Sequence, residues 1–173
     1  MVFRNREEAG RLLAGKLLQY RNAAGGLILA LPRGGVAVGY QLSLALHLPL
    51  EVFITRKIGA PGNPEYALGA VSETGAVYIN QEAATAFRFI RRAVEELAHD
   101  QRREISRRQA LYRQGRHLSS LEGRLIIIVD DGIATGATFF ASVEAIRQQK
   151  PSRLVAAIPV GPEETIVTEP FWT

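Results

Sequence analysis

Leu125-Ile126-Ile127-Ile128-Val129-Asp130-Asp131-Gly132-Ile133-Ala134-Thr135-Gly136-Ala137-Thr138 decides how the rest of the chain is read. The apolar run Leu125 to Val129 is short and unbroken, the pattern of a strand buried on both faces. Two acids end it. The chain has three aspartates, and two of them stand side by side here. Adjacent carboxylates at a strand end repel one another and lose hydration, so a role confined to folding would not favour them. Such a pair suits the hydroxyls of a sugar, or a hydrated Mg2+. Ala134, Thr135, Gly136, Ala137 and Thr138 then run into a helix. They offer unencumbered backbone N–H groups, two hydroxyls and a helix N-terminus to an anion. The spaced glycines and Lys-Ser/Thr pair of a Walker A loop are absent. Acids for a ribose diol followed by a phosphate nest describe a site for ribose 5-phosphate. A polar strand-to-helix turn capped by Thr138 is the plainer alternative.

Working outward, Leu27 to Leu31 is a second short apolar run, bounded by Gly25-Gly26 and Pro32, and reads as a buried strand. After Pro32-Arg33-Gly34-Gly35, the spacing predicts a helix over Val36 to Ala45 and a strand over Glu51 to Thr55. Near the start, Asn5 with Glu8 three residues on resembles a helix cap, and Ala9, Leu12, Leu13 and Leu17 follow at helical spacing. From Lys57 to Tyr66, two prolines and two glycines predict irregular structure. Ala67 to Val71 and Ala76 to Ile79 read as a strand pair around Glu73-Thr74-Gly75. Asn80 can cap a long helix with an apolar stripe of Phe87, Ile90, Val94, Leu97 and Ile105, reaching about Tyr112. A helix over Thr138 to Gln148 and a strand over Arg153 to Ile158 complete the pattern. Short apolar strands alternating with helices predict an α/β fold, a parallel sheet with helices on both faces. In such sheets, ligands bind at the carboxyl ends of the strands.

The length, 173 residues, fits a single domain, and the 47% hydrophobic and 22% charged residues are ordinary for a globular protein. No apolar run approaches the ~18–20 residues of a membrane span, and the charged N-terminus is unlike a signal peptide. With no cysteine there is neither a disulfide framework nor a thiolate metal site. A cytoplasmic protein is the expectation. The net charge is +4, and half of the arginines lie between Arg88 and Arg116. That stripe suggests a nucleic-acid surface, but Glu95, Glu96, Asp100 and Glu104 interleave with it, which favours a solvated helix face.

The signature Val129 to Thr138 resembles the phosphoribosyl-pyrophosphate (PRPP) motif of the type I phosphoribosyltransferases. Together with LPRGG (31–35) and RKIGAPGNPEYALGAV (56–71), it resembles a bacterial group within that superfamily, from about Leu27 to Gly161. The resemblance implies the type I fold with a small hood, and a Mg2+-dependent enzyme that moves ribose 5-phosphate from PRPP to a nitrogen acceptor. A non-catalytic PRPP- or nucleotide-sensing protein on the same fold is the alternative. It implies that Asp130 and Asp131 take the ribose hydroxyls and, through water, the metal, and that Ala134 to Thr138 take the 5′-phosphate. Arg33, Gly34 and Gly35 become the pyrophosphate loop, with a cis or strained peptide expected at Arg33–Gly34. Arg56 and Lys57 become its basic partners, Lys57 acting in catalysis at the start of a mobile loop. The hood is expected from residues 67–79 or 163–173, with Tyr66 or Trp172 available to stack on a planar acceptor. Members of the group run on past Pro159 to Pro162, so a shortened or incomplete hood is expected. A homodimer is left open, and no membrane partner is expected.

Overall fold

All-apolar strands need cover on both faces and neighbours on both edges. Leu27–Ala30 (β1) and Leu125–Val129 (β6) accordingly occupy the middle of a sheet, with Leu50–Val52 (β2) and Arg153–Ala157 (β7) outside them in the order β2-β1-β6-β7. We describe a computed structural model for residues 3–80, 90–133 and 136–161. All three pairings in this sheet are parallel; Leu27 to Ala30 face Ile126 to Val129, and Leu125 to Val129 face Arg153 to Ala157. Every residue of β1 is buried, as are the last four of β6.

Among the described residues the chain divides into two compact units, one from 3–53, 121–133, 136 and 150–161, the other from 54–80, 90–120 and 137–149. In the first, Gly34–Leu46 (α2) packs on β1, β2 and β6, and Arg6–Gly15 (α1) packs on α2. Val38, Leu42 and Leu46 recur on one face of α2 and close over Ile28, Ile127 and Val129. The α1 cap is as expected: Asn5 Oδ1 accepts from Glu8 N at 2.9 Å. Glu8 returns the bond one residue further out than a capping box would, accepting from Arg4 N at 2.6 Å. Among the described residues, no helix is long and apolar enough to cross a membrane.

The second unit holds an antiparallel sheet of Thr55–Ala60 (β3), Asn63–Ser72 (β4) and Val77–Ile79 (β5), in that order, with helices Ile90–Arg113 (α3) and Ala137–Arg147 (α4) packed against it. Here two expectations are corrected. The strand expected over Glu51 to Thr55 ends at Val52, and Thr55 begins a strand of the other sheet. The segment Lys57 to Tyr66 is a β-hairpin, not an irregular loop. Its prolines and glycines sit where a hairpin tolerates them. Pro61 and Gly62 form the turn, Gly62 at φ +80°. Pro64 lies in the stretch that the register skips, between the pairs Ala60↔Asn63 and Gly59↔Ala67, where a missing N–H costs no ladder bond. The strand pair around Glu73-Thr74-Gly75 is present, with Gly69↔Ile79 and Val71↔Val77 in register.

Asn80 extends the hairpin edge, its N–H donating to Leu68 O and its side chain to Ala67 O. The helix start it was expected to cap, with Phe87, lies outside the described residues. Val94, Ala98 and Ile105 carry the buried face of α3. Glu73 is the unit's central polar residue. Its side chain, 1% exposed, pairs with Arg113, 8% exposed, accepts from Ile54 N at 2.8 Å and from Gln109 Nε2 at 3.0 Å. One carboxylate thus ties the β4–β5 turn, the entry to β3 and the last turns of α3 together.

Candidate functional site

Because β1 and β6 are neighbours in register, with Ala30 opposite Val129 and Leu31 N donating to Val129 O at 2.8 Å, their continuations leave the sheet side by side. Those continuations are Pro32 to Gly35 and Asp130 to Gly132. They meet with no side chain on the glycine side. A Cβ on Gly35 would lie 2.7 Å from Val129 O and 2.9 Å from the Cα of Asp130, and a Cβ on Gly34 would run into the Asp131 carboxylate. The glycines are required by this close approach. Arg33, just ahead of them, is exposed. The cis peptide is Pro32–Arg33 rather than Arg33–Gly34. Arg33 already has helical backbone angles (φ −98°, ψ −35°) and α2 begins at Gly34, so the Arg33–Gly34 bond belongs to the helix entry.

Asp130 Oδ1 accepts from Asp131 N at 2.8 Å. Burial, reinforced by the neighbouring Asp131 carboxyl, pushes the Asp130 carboxyl up to about 7. Asp131 is engaged by Arg6, whose Nε lies 2.6 Å from its Oδ2. The loop then closes on the segment after β7, Ile133 N donating to Val160 O at 3.0 Å. Ala134 and Thr135 lie outside the described residues. Gly136 is buried with φ +72°, a left-handed conformation that glycine adopts without strain.

The structure therefore brings Gly34, Gly35, Asp130 and Asp131, with Arg33 next in the chain, together at the carboxyl ends of the two central strands of the first unit. Arg56, Lys57, Ala137 and Thr138 belong to the second. There, Arg56 Nε donates to Gln101 Oε1 at 3.1 Å, and burial, with Arg108 nearby, holds its guanidinium below the ordinary value. Lys57 is a β3 residue opposite Ala70. Ala137 begins α4, and the Thr138 carbonyl lies 2.7 Å from Ser142 Oγ. Residues 163–173, with Trp172, lie outside the described residues. Tyr66 is exposed in the hairpin. His47 ends α2 beside Asn22 and Arg21.

Sequence reasoning did not single out Arg6, which reaches Asp131 in this cluster, and a signal for it existed. It is the first residue of α1, where a cation opposes the helix dipole, and positions three and four further on are Ala9 and Gly10, which offer no acid. A cation so placed has no acid at helical spacing to hold it and can reach a distant one. As for metal, no group of three or more His, Cys, Asp or Glu side chains forms an ion site among the described residues. Two carboxylates fit a Mg2+ that keeps most of its water, and not a full protein cage.

An open-edged parallel sheet with a glycine loop and an acid pair at adjoining strand ends defines an α/β protein whose ligand site is expected beyond those strand ends. Comparison with known proteins gives the family. The description "Phosphoribosyl transferase domain" matches residues 3–169, and the chain belongs to that family. Two proteins of Mycobacterium tuberculosis that carry a phosphoribosyl transferase name, Rv0571c and MT0597, are each 38% identical over 165 residues, 95% of this chain. The chain spans 37% of the length of these relatives. The crystal structure of TT1426 from Thermus thermophilus is 39% identical, with a TM-score of 0.80 over 96% of this chain and 78% of that one. The purine phosphoribosyltransferase of Pyrococcus horikoshii shares the fold at 18% identity, with a TM-score of 0.57 over 98% of this chain and 82% of that one.

Proposed function

We propose that this chain binds PRPP and transfers its ribose 5-phosphate group to a nitrogen acceptor. The bond from the anomeric carbon to pyrophosphate breaks, pyrophosphate leaves with the electron pair, and the acceptor nitrogen forms the new bond and gives up a proton. The observation that supports this best is the Gly34-Gly35 turn of the pyrophosphate-type loop lying directly against Asp130 and Asp131. A ligand with a diol and an anion on one carbon skeleton needs both within a few ångströms. Asp130 and Asp131 accept from the ribose hydroxyls, while the Gly34 and Gly35 backbone and Arg33 receive pyrophosphate. Bound Mg2+ would supply further positive charge to the pyrophosphate oxygens, held through water by the same acids. The 5′-phosphate falls to Ala134 through Thr138, and Arg56 and Lys57 are assigned to pyrophosphate, Lys57 in catalysis, by family likeness. The transition state is oxocarbenium-like, so positioning and charge carry the catalysis. The unit of β3, β4 and β5 is assigned to the acceptor, and a cytoplasmic setting is part of the same reading.

Calorimetry with Mg2+ should show PRPP binding, and ribose 5-phosphate binding more weakly. Asp130→Asn with Asp131→Asn should lower PRPP affinity by about 10-fold or more, since a hydrogen bond to a charged group contributes about 1.5–3 kcal/mol. An unchanged affinity in that double variant would remove the site assignment. A pyrophosphate-release screen across nucleobases and small amines then separates transferase from sensor: binding without release in any reaction favours the non-catalytic reading.

A further inference from the structure

We infer that Arg6 is a positioning residue for the ligand-facing carboxylate of Asp131. This rests on the ribose-binding role given to that acid above. Three observations carry it. First, the contact is close and long in sequence: Arg6 Nε to Asp131 Oδ2 is 2.6 Å across 125 positions. Second, α1 gains nothing locally from this cation. Glu7 and Glu8 in the first turn complement the helix dipole, and Arg6 opposes it. The two nearby arginines have helix partners, Arg4 with Glu8 and Arg11 with Glu7, but Arg6 reaches away from its helix. Third, the same carboxylate lies against the backbone of the glycine loop, since any Cβ on Gly34 would strike it, nearest at Oδ2, the oxygen that Arg6 contacts. A guanidinium and the Gly34 backbone thus both meet the carboxylate, which limits how far its side chain can turn.

The cap of α1 fixes where Arg6 starts. Asn5 accepts from Glu8 N, and α1 packs on α2, the helix that begins at Gly34. The acid, its clamp and the glycine loop are thus referred to one scaffold. A carboxylate has about four acceptor positions, so Arg6 on one oxygen leaves others to receive sugar hydroxyls. Arg6 is 62% exposed, so its pairing is partly screened and its effect is modest in size.

The test is a double-variant cycle read by calorimetry with ribose 5-phosphate in Mg2+. Arg6→Ala should weaken binding about fivefold, the upper range for a partly exposed pair. Arg6→Lys should recover part of the loss. In an Asp131→Asn background, Arg6→Ala should cost nothing further, because the group it positions has already been neutralised. Inorganic pyrophosphate affinity, compared without Mg2+ between wild type and Arg6→Ala, should stay within about twofold, since the backbone of Gly34 and Gly35 and the Arg33 side chain assigned to it do not act through the Asp131 carboxylate, and melting temperatures should show that each variant is folded. Equal ribose 5-phosphate affinity in wild type and Arg6→Ala overturns the inference while leaving the site reading intact. So do losses that multiply across the cycle, a gain of affinity in Arg6→Ala, or a fall in pyrophosphate affinity as large as that for the sugar. If the wild-type protein takes up no ribose 5-phosphate, the site reading fails and this inference fails with it.

Discussion

A carboxyl held near 7 keeps a proton that the unfolded chain releases near 3.8, and Asp130 is in that position. Because the folded value is the higher one, the folded state binds more protons between those limits. Stability must therefore fall as pH rises from about 4 to about 7. Asp130→Asn removes the liability. In EDTA without ligand, its melting temperature should match the wild type near pH 4 and exceed it by several degrees at about pH 8. The ceiling is about 4 kcal/mol, from roughly 1.4 kcal/mol per pK unit, reduced by the carboxyl's partial exposure. A gap that is flat with pH would show that burial does not load this group. The paired glycines give a second residue-scale expectation. Gly34→Ala meets a side chain, Asp131, whereas Gly35→Ala meets the backbone of Val129 and Asp130. Both should lose about 1–3 kcal/mol by overpacking, read from chemical denaturation. Adding Asp131→Ala should restore most of the loss for Gly34→Ala and none for Gly35→Ala.

At the scale of elements, Glu73 is the point of greatest leverage. It was legible in the sequence only as part of a turn, because nothing local announces that Arg113 and Gln109, far along the chain, will converge on it. Glu73→Gln leaves a buried guanidinium without its charge partner and should cost about 3–5 kcal/mol. Glu73→Gln with Arg113→Met should recover part of that; a double variant no better than the single would argue that the carboxylate's bond to Ile54 N matters more than the ion pair. The central strands were legible because burial on both faces writes itself as an unbroken apolar run: Leu125–Val129 appears as read, and Leu27–Leu31 loses one residue. The acid pair and glycine loop were legible because few residue types can stand there. The hairpin was not, since its punctuating prolines and glycines suit a loop equally well until a register exists to accommodate them. Arg6 was missed for the same reason as Glu73, a partner far away in sequence.

For the whole molecule, the basic charge resolves into local accounts more than a single surface. Glu104 pairs with both Arg107 and Arg108, and their hydrogen bonds hold its carboxyl down to about 2. Glu104, one of the four acids interleaved with the arginine stripe of α3, thus tempers it locally. The division into units has a consequence for inheritance and dissection. Among the described residues, the chain crosses from one unit to the other after Phe53, Ser120, Gly136 and Gln149. The second unit is consequently two separate passages of the gene, and its sheet is completed by a helix encoded after the acid motif. Residues 54–120 expressed alone would lack α4, leaving Thr55 without Ser142 and uncovering the face of β3, β4 and β5 that Phe139 and its neighbours cover. That fragment should melt without a cooperative transition in calorimetry, and a sharp one would show that α4 is dispensable. A recombination event that exchanged 54–120 between relatives would import a new sheet onto a resident helix. Residues 137–149 are then the part of the recipient against which every such graft is selected.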